Sequence, residues 1–168
     1  MIALLALVLT GCAGDTRHEI LVSVRDQRMV VLDEGTLVAA YPVSTSKFGT
    51  GSTPGSNRTP LGNFKVREKL GTNLPPGAVL KDRRPTGEIL PVNAPGRDPI
   101  VSRILWLDGK DAGNRNTRSR YIYIHGTPEE RTLGTPASFG CIRMGSNDVI
   151  ALYDRVGSGA RVQIRESF

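Results

Sequence analysis

Two residues of the sequence have the types and spacing of a nucleophile and its base. His125 is followed by Gly126, and Cys141 stands sixteen positions later, within residues 138–144 (SFGCIRM). The thiolate is the attacking form of cysteine, and a nearby histidine or positive charge favours it over a thiol of pKa about 8.5. Arg143 supplies such a charge two positions after the cysteine. The pattern therefore indicates nucleophilic catalysis by cysteine.

A glycine next to the cysteine leaves room for a substrate. The backbone amides around Gly140 and Cys141 are candidates to bind the oxyanion of a tetrahedral intermediate. Each residue alone has an ordinary structural alternative, because an isolated cysteine is usually a small buried residue and an isolated histidine a surface or core residue. The linked spacing is what favours the catalytic interpretation.

Length and composition restrict the class of protein. The 168 residues fit one domain, and 19 Gly and 11 Pro with 5% aromatic residues favour turn-rich β structure over a helical bundle. Two Cys and two His do not suit a structural zinc site, so we expect no metal and no cofactor. The net charge of +6 favours an anionic partner, but the scattered basic residues and few aromatics disfavour nucleic acid.

The elements that must position the candidate residues are mostly strands. Apolar alternation predicts three strands over residues 20–43, followed by a loop over residues 44–59 and a further strand from Thr59. Residues 75–99 hold six of the prolines, which predicts a long loop or lid rather than a regular central strand or helix.

Strand-like composition returns over residues 100–107 and 121–125. In the second segment the alternation places both tyrosines and His125 on one face, both isoleucines on the other, and His125 at a strand end. One helix is predicted from Ser146, capped by short polar side chains, and residues 160–164 form a closing strand. The predicted apolar face of that helix comprises Val149, Ile150, Tyr153 and Val156.

The N-terminal residues 1–11 are expected to be a lipoprotein-type signal segment. Residues 2–9 are an apolar run, well short of the ~20 residues that a transmembrane helix needs. The run ends in Leu9-Thr10-Gly11-Cys12, which resembles the processing box of bacterial lipoproteins and implies lipidation at Cys12, with residues 12–18 as a tether. No basic residue precedes the run, and the alternative is a poorly ordered terminus with a free thiol.

Lipidation would place the protein in the cell envelope, held to a membrane through its lipid anchor on the periplasmic side. Ala13 follows the lipidated position, which by resemblance to Gram-negative lipoproteins indicates the outer membrane.

The stretch HGT…SFGCIRM resembles the signature of the L,D-transpeptidase catalytic domain (YkuD-type), in which HG is followed after a gap by Ser or Thr, any residue, Gly and Cys. The likeness extends to the predicted opening strands, to TPLGNF and to NDVIALYDRVGSGARVQI. It implies a catalytic domain over residues 19–166, mainly β, a sandwich or barrel with one short helix after the cysteine and a Pro-rich loop or lid. Phe139 departs from the pattern, since many members have a second histidine there.

The resemblance also implies roles. Cys141 attacks the carbonyl between the L-centre of the diamino acid and D-Ala in a peptidoglycan tetrapeptide stem. His125, its ring oriented by a backbone carbonyl, takes the thiol proton and later protonates the departing amine. The residues implied in substrate binding are Arg143, Ser138, Gly140, Gly126 and Thr127.

The implied reaction is acylation with loss of D-Ala, then transfer of the acyl group to an amine. The product is a 3-3 cross-link or an attached protein, and a wall-attached lipoprotein is one acceptor. Two alternatives stay open: an L,D-carboxypeptidase or amidase that uses water, and a non-catalytic peptidoglycan-binding lipoprotein. Presence of both Cys141 and His125 argues against the second.

Overall fold

The computed structural model describes residues 14–168. The predicted signal segment, the lipidation site at Cys12 and the first part of the predicted tether lie outside these residues, so their assignment stays a prediction. Within the described part, no helix has the length and apolar character needed to cross a membrane.

The described chain is built mainly from strands, as predicted. Its strands are β1 His18–Ser23, β2 Arg28–Asp33, β3 Thr36–Pro42, β4 Gly62–Leu70, β5 Ala78–Lys81, β6 Arg84–Ile89, β7 Ile100–Gly109, β8 Tyr123–Gly126, β9 Ile142–Met144 and β10 Arg161–Arg165. The single α-helix of residues 14–168 is α1, Ser146–Arg155, and two short 3₁₀ helices cover Ala112–Asn114 and Glu130–Thr132.

The strands form one sheet in the order β3-β2-β1-β10-β4-β7-β5-β6, and β8 joins it by pairing with β7. The predicted three-strand meander is confirmed as β1, β2 and β3, which pair antiparallel. The last strand, β10, lies parallel to β1 and antiparallel to β4, so the end of the chain closes the sheet between its first and fourth strands.

The hydrophobic core lies between this sheet and α1. Ile20 and Val22 of β1 flank the more exposed Leu21, and Val162 and Ile164 of β10 flank the more exposed Gln163, as the period of a half-buried strand requires. Together with Leu152 of α1 they belong to one continuous cluster of buried apolar side chains. Burial of this cluster, at roughly 25 cal/mol per Å² of apolar surface, is the main force that holds the strands in register.

The prediction for residues 75–99 was wrong in part, because β5 and β6 form a hairpin there. β5 joins the sheet through only two residue pairs with β7. Pro85 lies in β6, the edge strand, where a missing N–H removes no bond to a further strand. The segment after β6 has no strand and leads through Asp98 back to β7.

The helix α1 begins at Ser146, as predicted, but it is not capped by the short polar side chains that were predicted to cap it. Gly145 is the N-cap residue and makes no side-chain capping bond. Instead, the N–H of Ser146 donates to Oε1 of Glu130 at 2.8 Å, so a carboxylate from a neighbouring turn satisfies the helix end. Leu152 is fully buried, whereas the predicted core residue Ile150 is only half-buried.

Candidate active site

The two candidate catalytic residues come from neighbouring parallel strands. β8 and β9 pair in parallel with Ile124 opposite Ile142 and His125 opposite Arg143. Residues opposite one another share a face of a sheet, as do residues two apart along a strand. Cys141 immediately precedes β9, where this register continues, and the N–H of Tyr123 donates to its Sγ at 3.4 Å.

The opposite face of the same two strands is buried in the core. Ile122 and Ile124 belong to the main cluster, together with Ile142 and Met144. The predicted division of residues 121–125 into an isoleucine face and a tyrosine-histidine face is therefore confirmed, and β8 ends at Gly126, directly after His125. The strand β9 was not predicted, since three residues are too few to show a period.

A cavity of about 150 Å³ lies where these side chains meet. It is lined by Asp98, Ile100, His125, Ser138, Phe139, Cys141 and Arg143. Four of the residues predicted from the sequence, including both catalytic candidates, therefore border one cavity. Its mouth carries Phe139, whose exposed ring lies 5.6 Å from that of Phe48.

His125 is buried and held by its own strand. Its Nδ1 lies 2.9 Å from the carbonyl oxygen of Gly126, and because a carbonyl only accepts, Nδ1 carries the proton. The Nε2 atom of the neutral ring is then free to act as a base. Burial is the main reason that the pKa of His125 is lowered, which keeps the ring neutral near pH 7.

Cys141 is half-buried and protonated. Its thiol donates to the carbonyl of Tyr121 at 3.4 Å. Burial raises the pKa of Cys141 to about 11, and the opposing effects of the Tyr123 N–H and the charges of Arg120 and Arg143 are smaller. Positive charge near the sulfur was expected from the sequence, and the structure shows it outweighed by desolvation.

Arg143 is enclosed by polar groups of the protein. Its side chain is only 4% exposed, and its guanidinium pairs with Asp98 and, at 3.7 Å, with Glu129. It also donates to the hydroxyls of Thr132 and Ser44 at 2.7 Å and 3.2 Å. The resemblance implied that Arg143 binds a substrate carboxylate, whereas here carboxylates and hydroxyls of the protein contact both of its terminal nitrogens, and its buried Nε has no hydrogen-bond partner.

Asp98 is the site residue that sequence reasoning missed. It lies near the end of the Pro-rich segment, residues 75–99, and no spacing connects it with the HG or Cys motifs. In the structure its two carboxylate oxygens accept from Thr127 and from Arg143. Its charge also raises the pKa of His125, although less than burial lowers it.

Gly126 and Thr127 lie beneath the cavity rather than on its wall. A Cβ on Gly126 would lie 2.5 Å from the carbonyl oxygen of Val101, so this position admits only glycine. Thr127 is fully buried and its hydroxyl is bound to Asp98. Both residues were predicted to bind substrate, and the structure places them in the support of His125 and Asp98.

Ser138 and Gly140 shape the turn that leads into Cys141. The hydroxyl of Ser138 donates to the carbonyl of Cys141 at 2.6 Å and accepts from the N–H of Gly140 at 3.2 Å. Gly140 has φ +118, a conformation that L side chains rarely adopt. The Gly140 amide is thus engaged within the turn.

The model of the L,D-transpeptidase catalytic domain family, YkuD, matches residues 17–164. The chain belongs to this family. Two curated L,D-transpeptidase relatives are similar to it along most of its length. YqjB of Bacillus subtilis is 26% identical over 88% of this chain and 70% of its own. YbiS of Escherichia coli is 30% identical over 89% of this chain, which spans only 45% of that protein.

Solved structures of L,D-transpeptidases share the fold. An L,D-transpeptidase from Mycobacterium smegmatis superposes with a TM-score of 0.58 at 20% identity, over 89% of this chain and 58% of that one. L,D-transpeptidase 3 from Mycobacterium tuberculosis, in complex with a faropenem-derived adduct, gives a TM-score of 0.59 at 19% identity, over 89% and 60% of the two chains. The predicted mainly β L,D-transpeptidase fold is therefore confirmed.

Proposed function

We propose that the protein is a peptidoglycan L,D-transpeptidase with Cys141 as nucleophile and His125 as base. The observation that carries this proposal is the parallel register of β8 and β9, which puts both side chains on one face at one cavity. Membership of the L,D-transpeptidase family supplies the substrate class, the stem peptides of peptidoglycan.

Acylation begins with a neutral thiol and a neutral imidazole. Nε2 of His125 removes the thiol proton as Sγ of Cys141 attacks the carbonyl carbon that joins the diamino acid to D-Ala. The backbone amide of Cys141 is the donor that we assign to the resulting oxyanion, since that of Gly140 is bound to Ser138. Collapse of the intermediate breaks the C–N bond, and the imidazolium returns its proton to the departing amine.

The thioester is then resolved by a second nucleophile. An amine from another stem, or from a wall-attached lipoprotein, attacks the thioester carbonyl while His125 takes its proton. The C–S bond breaks and the sulfur recovers that proton, which restores the starting state. Water in place of the amine would give hydrolysis, so access of the acceptor decides between a transpeptidase and an L,D-carboxypeptidase.

The products distinguish these reactions. The protein without its first twelve residues is incubated with disaccharide tetrapeptides, and the products are identified by mass. Cross-linked dimers that have lost one D-Ala are the expected result. Tripeptides alone would assign a hydrolase, and no product from any stem peptide would leave only the non-catalytic wall-binding function.

We further propose a location in the cell envelope, with Cys12 lipidated and the domain in the periplasm at the outer membrane. The support is the resemblance of residues 9–12 to a lipoprotein processing box. The full chain and its Cys12→Ser variant are compared by membrane fractionation. The wild type should sediment with the membrane and the variant should be released, whereas unchanged fractionation of the variant would reject lipidation.

A further inference from the structure

A second cavity adjoins the catalytic one. It has a volume of about 410 Å³ and is lined by Asp82, Arg83, Ile100, Tyr121 and Tyr123. Ile100 also lines the cavity of Cys141 and His125, so the two spaces are neighbours. Neither the family signature nor the spacing of the catalytic residues includes the hairpin residues Asp82 and Arg83.

The order of residues along β8 sets the position of this cavity relative to the nucleophile. Cys141 lies beside Tyr123, whose N–H binds its sulfur, and its thiol contacts the carbonyl of Tyr121. His125 lies two positions further along the same face. Tyr121 and the guanidinium of Arg83 that contacts it therefore lie on the side of the sulfur away from His125, whereas Ile100, next to the Val101–Gly126 pair, joins this tyrosine cavity to the catalytic one.

This arrangement determines which half of a substrate each cavity receives. His125 must reach the departing amine to protonate it, and it must reach the attacking amine of the acceptor as well. The amine half of the scissile bond consequently lies on the His125 side. The acyl half, which stays bonded to sulfur, extends to the other side and into the tyrosine cavity.

Arg83 is aimed at this cavity by the turn of the β5–β6 hairpin. Lys81 pairs with Arg84, which leaves Asp82 and Arg83 as a two-residue turn. Both have positive φ, 49° and 66°, the pattern of a type I′ turn in which glycine or asparagine is usual. An arginine in this conformation is uncommon and costs backbone free energy.

Aromatic rings hold the Arg83 side chain in place. Its guanidinium carbon lies 5.1 Å from the ring centre of Trp106 and 5.4 Å from that of Tyr121, and it donates to the hydroxyl of Tyr123 at 3.5 Å. Trp106 in turn packs on both tyrosine rings, with centroids 5.7 Å and 5.5 Å away. The cation–π contacts themselves use none of the in-plane N–H donors, and only the bond from Nη1 to Tyr123 does.

Arg83 has a charge without a counter-ion. Across residues 14–168, no carboxylate forms an ion pair with its guanidinium, although Asp82 is its neighbour in the chain. A planar guanidinium with free N–H donors matches a carboxylate in bidentate geometry. This contrasts with Arg143, whose two terminal nitrogens are both bound by groups of the protein.

We propose that Arg83 and the tyrosine cavity form a carboxylate-binding subsite for the acyl half of the donor stem peptide. The inference rests on the proposed function, because it takes the side of the leaving amine from the role of His125. The stem has carboxylates on both sides of the scissile bond, and the subsite binds one that stays with the acyl group.

The subsite is tested with donor tetrapeptides in three forms: unmodified, amidated at the acyl-side carboxylates, and amidated at the carboxylate of the leaving D-Ala. We measure kcat/KM for wild type, Arg83→Gln and the matched control Arg84→Gln. The wild type and Arg84→Gln should prefer the free acyl-side carboxylate by about tenfold, and Arg83→Gln should lose that preference. Amidation of the leaving D-Ala should have the same effect in all three proteins.

An unchanged preference in Arg83→Gln would overturn the subsite while leaving the transpeptidase assignment intact. If Arg83→Gln instead lost the preference for a free carboxylate on the leaving D-Ala, the proposed orientation of the donor would be wrong. A further variant, Asp82→Asn, removes a negative charge from the cavity wall and should increase the preference for the free carboxylate. A decrease would contradict the subsite.

Binding to a Cys141→Ala background separates the subsite from the reaction. Calorimetric titration of this inert protein with the unmodified and acyl-amidated donors reports affinity without turnover. Arg83-dependent binding with no turnover by the wild type would reject the proposed reaction and keep the subsite. Turnover by the wild type, together with donor affinity that is unchanged by Arg83→Gln, would reject the subsite and keep the reaction.

Discussion

The Nδ1 atom of His125 lies 2.9 Å from the carbonyl oxygen of Gly126, the next residue in the chain. A backbone carbonyl thus does the orienting work that an aspartate does in a Ser-His-Asp triad. It fixes the tautomer with Nε2 free, and it adds no full negative charge that would favour the imidazolium. This hydrogen bond predicts that, before substrate binds, the imidazole of His125 and the thiol of Cys141 are both neutral.

Replacing Cys141, the proposed nucleophile, should abolish turnover of stem peptides. In Cys141→Ala, turnover of stem peptides should fall by at least about a thousandfold, because no other group forms the acyl-enzyme. Incubation with a carbapenem should then give no covalent adduct in the intact mass. The assay uses protein without its first twelve residues, so that Cys12 is absent, and thermal unfolding checks that the variant is folded. An adduct that persists in the variant would place the nucleophile elsewhere.

The pH dependence of thiol alkylation should show the burial of Cys141. Because its pKa is raised to about 11, the thiolate is scarce at pH 7 and its fraction grows through the whole alkaline range. The rate of reaction with the neutral reagent iodoacetamide should therefore still be rising above pH 9. A plateau at or below pH 7 would show instead a thiolate stabilised by an imidazolium.

Removing the charge of Asp98 should shift the titration of His125 downward. Asp98 raises the pKa of His125 and Arg143 lowers it, so Asp98→Asn removes the first effect and leaves the second. The acid limb of kcat/KM should move to lower pH, and the His125 ring signals in NMR should follow it. Glu129→Gln is the matched control, because Glu129 also contacts Arg143, at 3.7 Å, but is not among the groups that shift the pKa of His125.

The same Asp98→Asn variant should also lose stability. The side chain of Arg143 is 4% exposed, and without the Asp98 charge its cation keeps only the more distant Glu129 as an ionic partner. We expect the free energy of unfolding to fall by about 2 kcal/mol, measured by urea denaturation. An Asp98→Asn protein as stable as the wild type would mean that the pair contributes no net stability.

Gly126→Ala should disrupt the support of the site. Its Cβ would lie 2.5 Å from the backbone oxygen of Val101, and this backbone belongs to β7 and cannot rotate away. Thermal and urea unfolding should show a loss of about 1–3 kcal/mol. Gly113→Ala is the control, since a Cβ there meets nothing within 4 Å. Equal stability of the two variants would contradict the close approach of β8 and β7.

Much of the sheet was predictable from local patterns. Ile20 and Val22 are more buried than Leu21 between them because β1 has one face on the core, and this period of two is visible in the sequence. The hairpin of β5 and β6 was missed since Pro85 signals against a strand, and only the sheet order shows that it occupies an edge. The cap of α1 was missed because Glu130 reaches Ser146 across sixteen positions of chain.

The sequence by itself predicted the candidate catalytic pair, the face of β8 that carries His125, and the family to which the motif points. These follow from local information: residue type, spacing and a period of two. Only the tertiary structure decided the state of the site. Burial decides that Cys141 is a thiol, and contacts between segments distant in the chain decide which groups surround Arg143. The same long-range contacts bring Asp98 to the catalytic cavity and Arg83 to the tyrosine cavity. Such contacts set the local dielectric and the charge partners, and no local pattern encodes them.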